Sequence, residues 1–280
     1  MSHYKFLAIK SKFWKPKEDY IAKIVTALKD KVQDGDFIVI SEKAISTATG
    51  NIYDESKILP NRTARFLAKY WMRYFWPYVL GPLCHLRGKT IQHLRNYPIE
   101  EGSAHKQVAL QRVGLLQALR HASEGGIDAT NLPYSYVSLP LKHPLQVAKR
   151  IRESIRTMLR KEVVVMIVDT DKTYTWKCFH FSSRSKAIDG IRSFGGFIAY
   201  LIGRSFKLEK RATPLVILGT NISVEETLEI AEMANRARGH GMGRTIWDIA
   251  AAFNVKPTGV SWKMLEAAEH KPIVIIRSFS

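Results

Sequence analysis

The stretch from Pro144 to Asp169 constrains this chain more than any other. PLQVAKRIRESIRTMLRK places Val147, Ile151, Ile155 and Leu159 four residues apart with basic residues between them, the pattern of a helix with one apolar stripe and a solvated cationic face. VVVMIVD follows at once. A run so apolar reads as a strand covered on both faces. A helix feeding directly into a buried strand requires a layer of helix on a layer of sheet, and it delivers Asp169 to the strand's end, a common position for chemistry.

The rest of the pattern is mixed. Ile21 to Val32 has helical spacing, and Gln33-Asp34-Gly35-Asp36 reads as a turn into the β-rich run FIVISEKAIS. Asn61 to Leu80 is helical in pattern, Pro82 and Gly88 punctuate, and Thr90 to Asn96 suits a short helix. Gln107 to Arg120 fits either strand pairs or helix. Later come a Gly-rich apolar segment from Phe194 to Gly203, a strand at Leu215 to Leu218, a helix from Val224 to Arg238, and a last strand, PIVIIRS. This mixture predicts an α+β fold rather than a regular doubly wound sheet.

With 46% hydrophobic residues in 280, the chain can bury a sizeable core. Its 43 Lys and Arg against 25 acidic residues give a net charge of +18, a field that draws anionic partners: nucleotides, polyanionic cofactors, nucleic acid or acidic membranes. Cys84 and Cys178 stand in no metal-binding spacing, which suits a reducing cytoplasm and predicts two buried thiols. The basic N-terminus lacks an uninterrupted apolar core, so a signal peptide and secretion are not expected. The most apolar stretch, Tyr70 to Leu86, is broken by Arg73 and two prolines. It reads as an aromatic helix on a core or subunit interface, not as a membrane span.

Two acidic sites stand out, GGIDATN around Asp128 and IVDTD around Asp169. Small or hydroxylated neighbours leave each carboxylate accessible. Carboxylate oxygens suit magnesium or manganese, and a metal held by only one or two of them keeps positions open for phosphate oxygens. Each aspartate taken singly is equally a turn cap.

GGIDATN, a basic helix, and then VVVMIVDTD resemble in order and spacing the core of the coenzyme F-420:glutamate ligase family. DGDFIVISEKAISTATG is similar to that family's early strand signature, and EIAEMANRARG to the helix leading into its guanine-nucleotide loop. The resemblance implies a mixed-sheet, ligase-like α+β fold of two intimate lobes over residues 1–280, working in the cytoplasm as an intertwined homodimer. It implies GTP as co-substrate and two divalent cations, Mg2+ or Mn2+. By the same resemblance Asp128 and Asp169 hold one metal, Thr170 helps hold the second, and Asn131 contacts the nucleotide. Asp171 is added as a further ligand from its position alone, and no catalytic side chain is singled out. The implied reaction joins a carboxylate acceptor to L-glutamate through an acyl phosphate.

Departures from the family pattern matter too. The lysine expected near the nucleotide is Thr47, with Lys43 close enough to replace it. VDTDKTY puts Asp171 and Lys172 where the family has a small turn. The loop RARGHGMGRT places His240 where an acidic or amide ligand is expected, while Gly239, Gly241 and Gly243 can admit phosphates through backbone amides. SKFWKPKED replaces a Gly-Leu-Pro loop, and Lys12, Lys15 and Lys17 read equally as phosphate binders or a solvated edge. Residues 244–270 read as a helix-turn-helix-like insertion in which Ile249, Ala250, Phe253, Val255, Val260 and Leu265 pack two helices, Asn254 supplies a left-handed turn, and Trp247 and Trp262 anchor. The rival reading is a homologue without catalysis that binds nucleic acid or another polyanion through its basic surface.

Overall fold

The computed structural model describes residues 3–129, 132–133, 135–239, 246–256 and 259–279. β1 (His3–Ser11) leads to α1 (Tyr20–Leu28), whose N-terminus is capped by Asp19 accepting from the Ala22 N–H. β2 (Phe37–Ser41) then passes without a loop into α2 (Glu42–Ala48). The β-rich run expected through FIVISEKAIS therefore stops halfway. The reason is a change of period: Ile38 and Ile40 alternate as strand residues, whereas Ala44, Ile45 and Ala48 form a helical stripe buried in the same core.

β3 (Ile52–Asp54) and a 3-10 turn at Glu55–Lys57 precede a helical group. It contains α3 (Arg62–Phe66), a wide π-helical stretch (Leu67–Leu80), α4 (Gly81–Leu83), α5 (Gly88–Arg95), α6 (Ile99–Arg112) and α7 (Leu115–Ala118). Gln107 to Arg120 is thus helical, not paired strands. In the π-helical stretch, wide turns bring residues five apart onto one face, and Trp71 and Trp76 both donate indole N–H bonds of 2.8 Å to the Leu119 carbonyl.

β4 (Tyr136–Ser138) pairs with β3 in a small second sheet. α8 (Pro144–Leu159) and β5 (Val164–Trp176) form the expected helix-to-strand unit, with β5 running on past Asp169. β6 (Phe179–Ser182), β7 (Ile191–Ser193), α9 (Phe197–Ser205), β8 (Glu209–Leu218) and α10 (Val224–Arg238) follow. The Gly-rich apolar segment is helical, and Gly203 within it lies against Tyr174, whose ring a Cβ would meet at 2.3 Å. The chain ends with α11 (Ile246–Ala252), α12 (Trp262–Glu266) and β9 (His270–Phe279).

The main sheet is mixed, in the order β1-β9-β2-β5-β6-β7 with β8 also on β5. Strand alternation divides its side chains between two cores. Ile38, Ile40, Val165, Ile167, Ile273 and Ile275 face α1, α2 and α8, and Phe37, Val39, Val164, Met166, Val274 and Ile276 face α10. Full burial of each such side chain is worth about 1.5–3 kcal/mol. One edge of β5 is shared: β2 runs parallel to it as far as Ser41–Val168, and β6 pairs with it from Thr173–Ser182 onward. On the opposite edge the β8 register slips between Asp169 and Lys172. Thr170 and Asp171 are consequently left out of both ladders, a bulge at the place where the sheet changes neighbours.

The 246–269 segment has its own satellite core of Phe13, Ile249, Ala250, Val260 and Leu265, with Phe253, Val255 and Trp262 against it. Asn254 has φ +52°, the left-handed turn residue that was expected. The Trp247 side chain lies outside the described residues. Of the two thiols, Cys84 is buried but Cys178 is exposed, at the β5–β6 turn. No described helix is long and apolar enough to cross a membrane.

Candidate active site

A cleft of about 1390 Å³ opens where β2 ends and the β5 bulge begins. Asp128, Asp169 and Thr170 all line it, together with Lys43, Thr47, Lys172, Arg238 and Gly239. Asp169 is carried there by β5, at the last paired residue before the bulge, and exposed Thr170 is the next residue. Asp128 arrives on a turn made by Gly125 and Gly126, with φ +62° and +94°, followed by buried Ile127. Backbone bonds between Asp128 and Ser138, 2.9 and 3.2 Å, hold that turn to β4. Lys43 stands in the first turn of α2.

The Lys43 ammonium lies 2.9 Å from Asp128 Oδ2. Burial lowers its proton affinity, while Asp128 and Asp169 both act to restore it. The two acidic motifs are therefore within electrostatic reach of one cation. Thr47, which occupies the position where a lysine was expected, also lines the cleft and donates to the Lys43 carbonyl at 2.9 Å.

Asp169 Oδ2 lies 3.0 Å from Arg184 Nε, yet the two do not align as a hydrogen bond and the buried oxygen has no other hydrogen-bond partner. That oxygen faces the guanidinium charge, so Asp169 can offer a cation in the cleft only its other oxygen. The donor set of Asp128, Asp169 and Thr170 is all oxygen, the preference of Mg2+ or Mn2+. Among the described residues no three His, Cys, Asp or Glu side chains converge. A cation here would take two carboxylates and complete its shell with water or phosphate, as magnesium does in nucleotide sites.

Asp171 is placed differently. It is buried, accepts from Arg120 Nη1 at 2.9 Å and Nη2 at 3.3 Å, and does not line the cleft. Burial opposes the charge on Arg120, and Asp171, with smaller contributions from Tyr174 and Tyr200, more than offsets it. The side chain counted as a metal ligand from its position is thus the anchor of an internal ion pair. Successive residues of an extended segment point to opposite sides, so Thr170 lines the cleft while Asp171 turns inward to Arg120.

Asn131, His240, Gly241 and Gly243 lie outside the described residues. In the N-terminal stretch it is the apolar Phe13 and Trp14 that line the cleft. Lys12, Lys15 and Lys17 do not, and Lys15 pairs with Glu266 at 2.9 Å.

Residues 8–246 match the family model described as "F420-0:Gamma-glutamyl ligase". The chain belongs to that family. It is 37% identical to an uncharacterised protein of Methanocaldococcus jannaschii over 281 residues, 96% of this chain and 94% of the relative. It is also 29% identical over 139 residues to the coenzyme F420:L-glutamate ligase of the same organism, about half of each chain (50% and 49%). The family match ends at the start of α11, so this family member's hairpin and β9 lie beyond it.

Two arginines that bear on the site were not singled out from the sequence. Arg238, at the end of α10, lines the cleft and donates to Asn235 Oδ1 at 3.2 Å, and burial lowers its pKa to about 10 although Asp169 opposes the shift. Burial likewise lowers cleft-lining His270 to about 4. Arg184 lies beneath the cleft, one residue beyond Ser182-Ser183 in a segment with no recognisable pattern. A polar cluster occupies the other end: His105 lies 2.7 Å from Glu55 and 3.2 Å from Glu124, and the latter accepts from buried Lys106.

Proposed function

We propose that this family member is a ligase that joins a carboxylate acceptor of the coenzyme F-420 type to L-glutamate, using GTP and a divalent cation. The observation that carries the reading is that Asp128 and Asp169, from two motifs far apart in sequence, line one cleft around the same lysine. An acceptor carboxylate oxygen would attack the γ-phosphorus as the bond to the β-phosphate oxygen breaks, giving an acyl phosphate and GDP. The glutamate amine would then attack the acyl carbon, lose its proton and expel phosphate, leaving an amide. Mg2+ or Mn2+ would offset charge on the transferring group. Lys43, Lys172 and Arg238 supply cationic walls for phosphates, and Thr170 an oxygen for the cation. At about 1390 Å³ the cleft exceeds the roughly 300–1,000 Å³ of an ordinary small-molecule pocket, a size that supports a reaction between two bound molecules.

The deciding experiment is GTP hydrolysis coupled to glutamate addition across a panel of carboxylate acceptors, with Mg2+ or Mn2+ present. Formation of GDP, phosphate and a glutamylated product in equal amounts supports the ligase, and no turnover with any acceptor rejects it. The second reading, a polyanion-binding homologue, is favoured by the net charge of +18. It requires steeply salt-dependent binding to DNA or RNA that survives Asp128→Ala and Asp169→Ala.

A further inference from the structure

Arg184 touches all three segments that build the site. It is 3% exposed and does not line the cleft, so no ligand in the cleft reaches it directly. Its backbone is set by the Arg184 N–H donating to Ser182 Oγ at 3.0 Å, just past the end of β6. From there one Nη2–H donates to Glu42 Oε1 at 2.6 Å, next to Lys43. Nη1 donates to the Gly125 carbonyl, in the turn that carries Asp128, and Nε faces Asp169 Oδ2. Glu42 is itself held, because Oε1 also accepts from the Leu141 N–H at 2.8 Å.

The second glycine of GGIDATN follows from this arrangement. A Cβ on Gly126 would come within 1.5 Å of Arg184 Nη1, and φ is +94° there. The guanidinium passes where any other side chain would begin.

We propose that Arg184 is a positioning residue: its planar fork sets the Asp128 turn and Asp169 in the relative geometry that binds the cation, with the start of α2 held beside them. It rests on the ligase reading above, since the cation belongs to that reading. Asp169 turns one oxygen down to Arg184, which leaves its other oxygen for the cleft. Only a guanidinium can do this, because a lysine ammonium is a point charge that cannot reach a carbonyl and two carboxylates in one plane.

The test measures Mn2+ affinity of the full-length protein by paramagnetic resonance titration, with kcat and KM for GTP hydrolysis and melting temperature in parallel. Arg184→Lys is expected to weaken Mn2+ binding by about 10–100-fold, the usual effect of removing the support of a metal ligand, and to lower kcat more than it raises the KM for GTP. Gly126→Ala should give the same split by displacing the guanidinium, and the isosteric Glu42→Gln a smaller loss in the same direction. A merely structural arginine would lower the melting temperature while the folded protein bound Mn2+ as wild type does. That result in Arg184→Lys overturns the proposal, and should this variant not fold, the same result in Gly126→Ala or Glu42→Gln does so. Wild-type protein that binds no Mn2+ overturns the ligase reading instead.

Discussion

The Lys43 ammonium, 2.9 Å from Asp128 Oδ2, already occupies part of the place a cation would take on that carboxylate. On the proposed ligase reading, opposite charge this close would stand in for a metal until phosphates bind, when the lysine would move to them. Lys43→Met should therefore act in opposite directions on two measurements. Mn2+ binding without nucleotide should tighten by several-fold, and the KM for GTP should rise by about tenfold or more, the cost of one charge-assisted bond of about 1.5–3 kcal/mol. Weaker Mn2+ binding in the variant would show that Lys43 supports the cation rather than competing with it.

Asp128→Asn and Asp169→Asn should each remove most Mn2+ affinity, by about 100-fold or more, with turnover falling in step. Isothermal titration with Mn2+ reads the first and GDP release the second. Asp169→Asn should also cost stability, because it leaves the buried Arg184 with one carboxylate fewer. If either variant binds Mn2+ like wild type, that carboxylate is not a ligand.

Asp171→Asn should behave in the reverse way. Removing one partner of a buried ion pair costs about 3–5 kcal/mol, and Arg120 has Asp171 on two of its nitrogens. Denaturant unfolding should show that loss, while Mn2+ affinity of the folded protein stays within about twofold. A large change in affinity with normal stability would return Asp171 to the metal site.

The His105 cluster makes stability depend on pH. Burial pulls the imidazole down, but Glu55 and Glu124 outweigh it and raise it to about 10, from 6.5 in an unfolded chain. A folded pKa above the unfolded one adds stability in full below about 6.5, and that contribution fades as pH rises to about 10. The melting-temperature gap between wild type and His105→Gln should accordingly be largest near pH 6 and close by pH 10. A gap that is constant across this range would mean that the histidine titrates alike in both states.

Among the described residues, Phe13 is the only member of the hairpin's buried cluster drawn from outside the 246–269 segment. Phe13→Ala should cost about 3–5 kcal/mol, spent mainly on local release of α11 and α12. Hydrogen exchange should speed up in 246–269 and leave β5 protected. Uniform loss of protection over the sheet would show instead that the hairpin is integral to global folding.

Local periodicity determined much of this protein. The helix Val224–Arg238 starts and ends where its sequence pattern does, since Ser223 caps one end and Gly239 follows the other. The α8-to-β5 unit, the left-handed Asn254 and the hairpin's apolar contacts were legible for the same reason, because each depends on residues close in sequence. FIVISEKAIS was legible only as far as Ser41, because apolar residues in a short run satisfy either period. The site was half legible: Asp128, Asp169 and Thr170 reach the cleft, but Asp171 turns inward to Arg120. Tertiary structure alone decided that, and also that Arg184 ties Glu42, Gly125 and Asp169 together while Arg238 faces the cleft. An ion pair is chosen by proximity across the fold, and proximity between distant segments leaves no periodic trace in either of them.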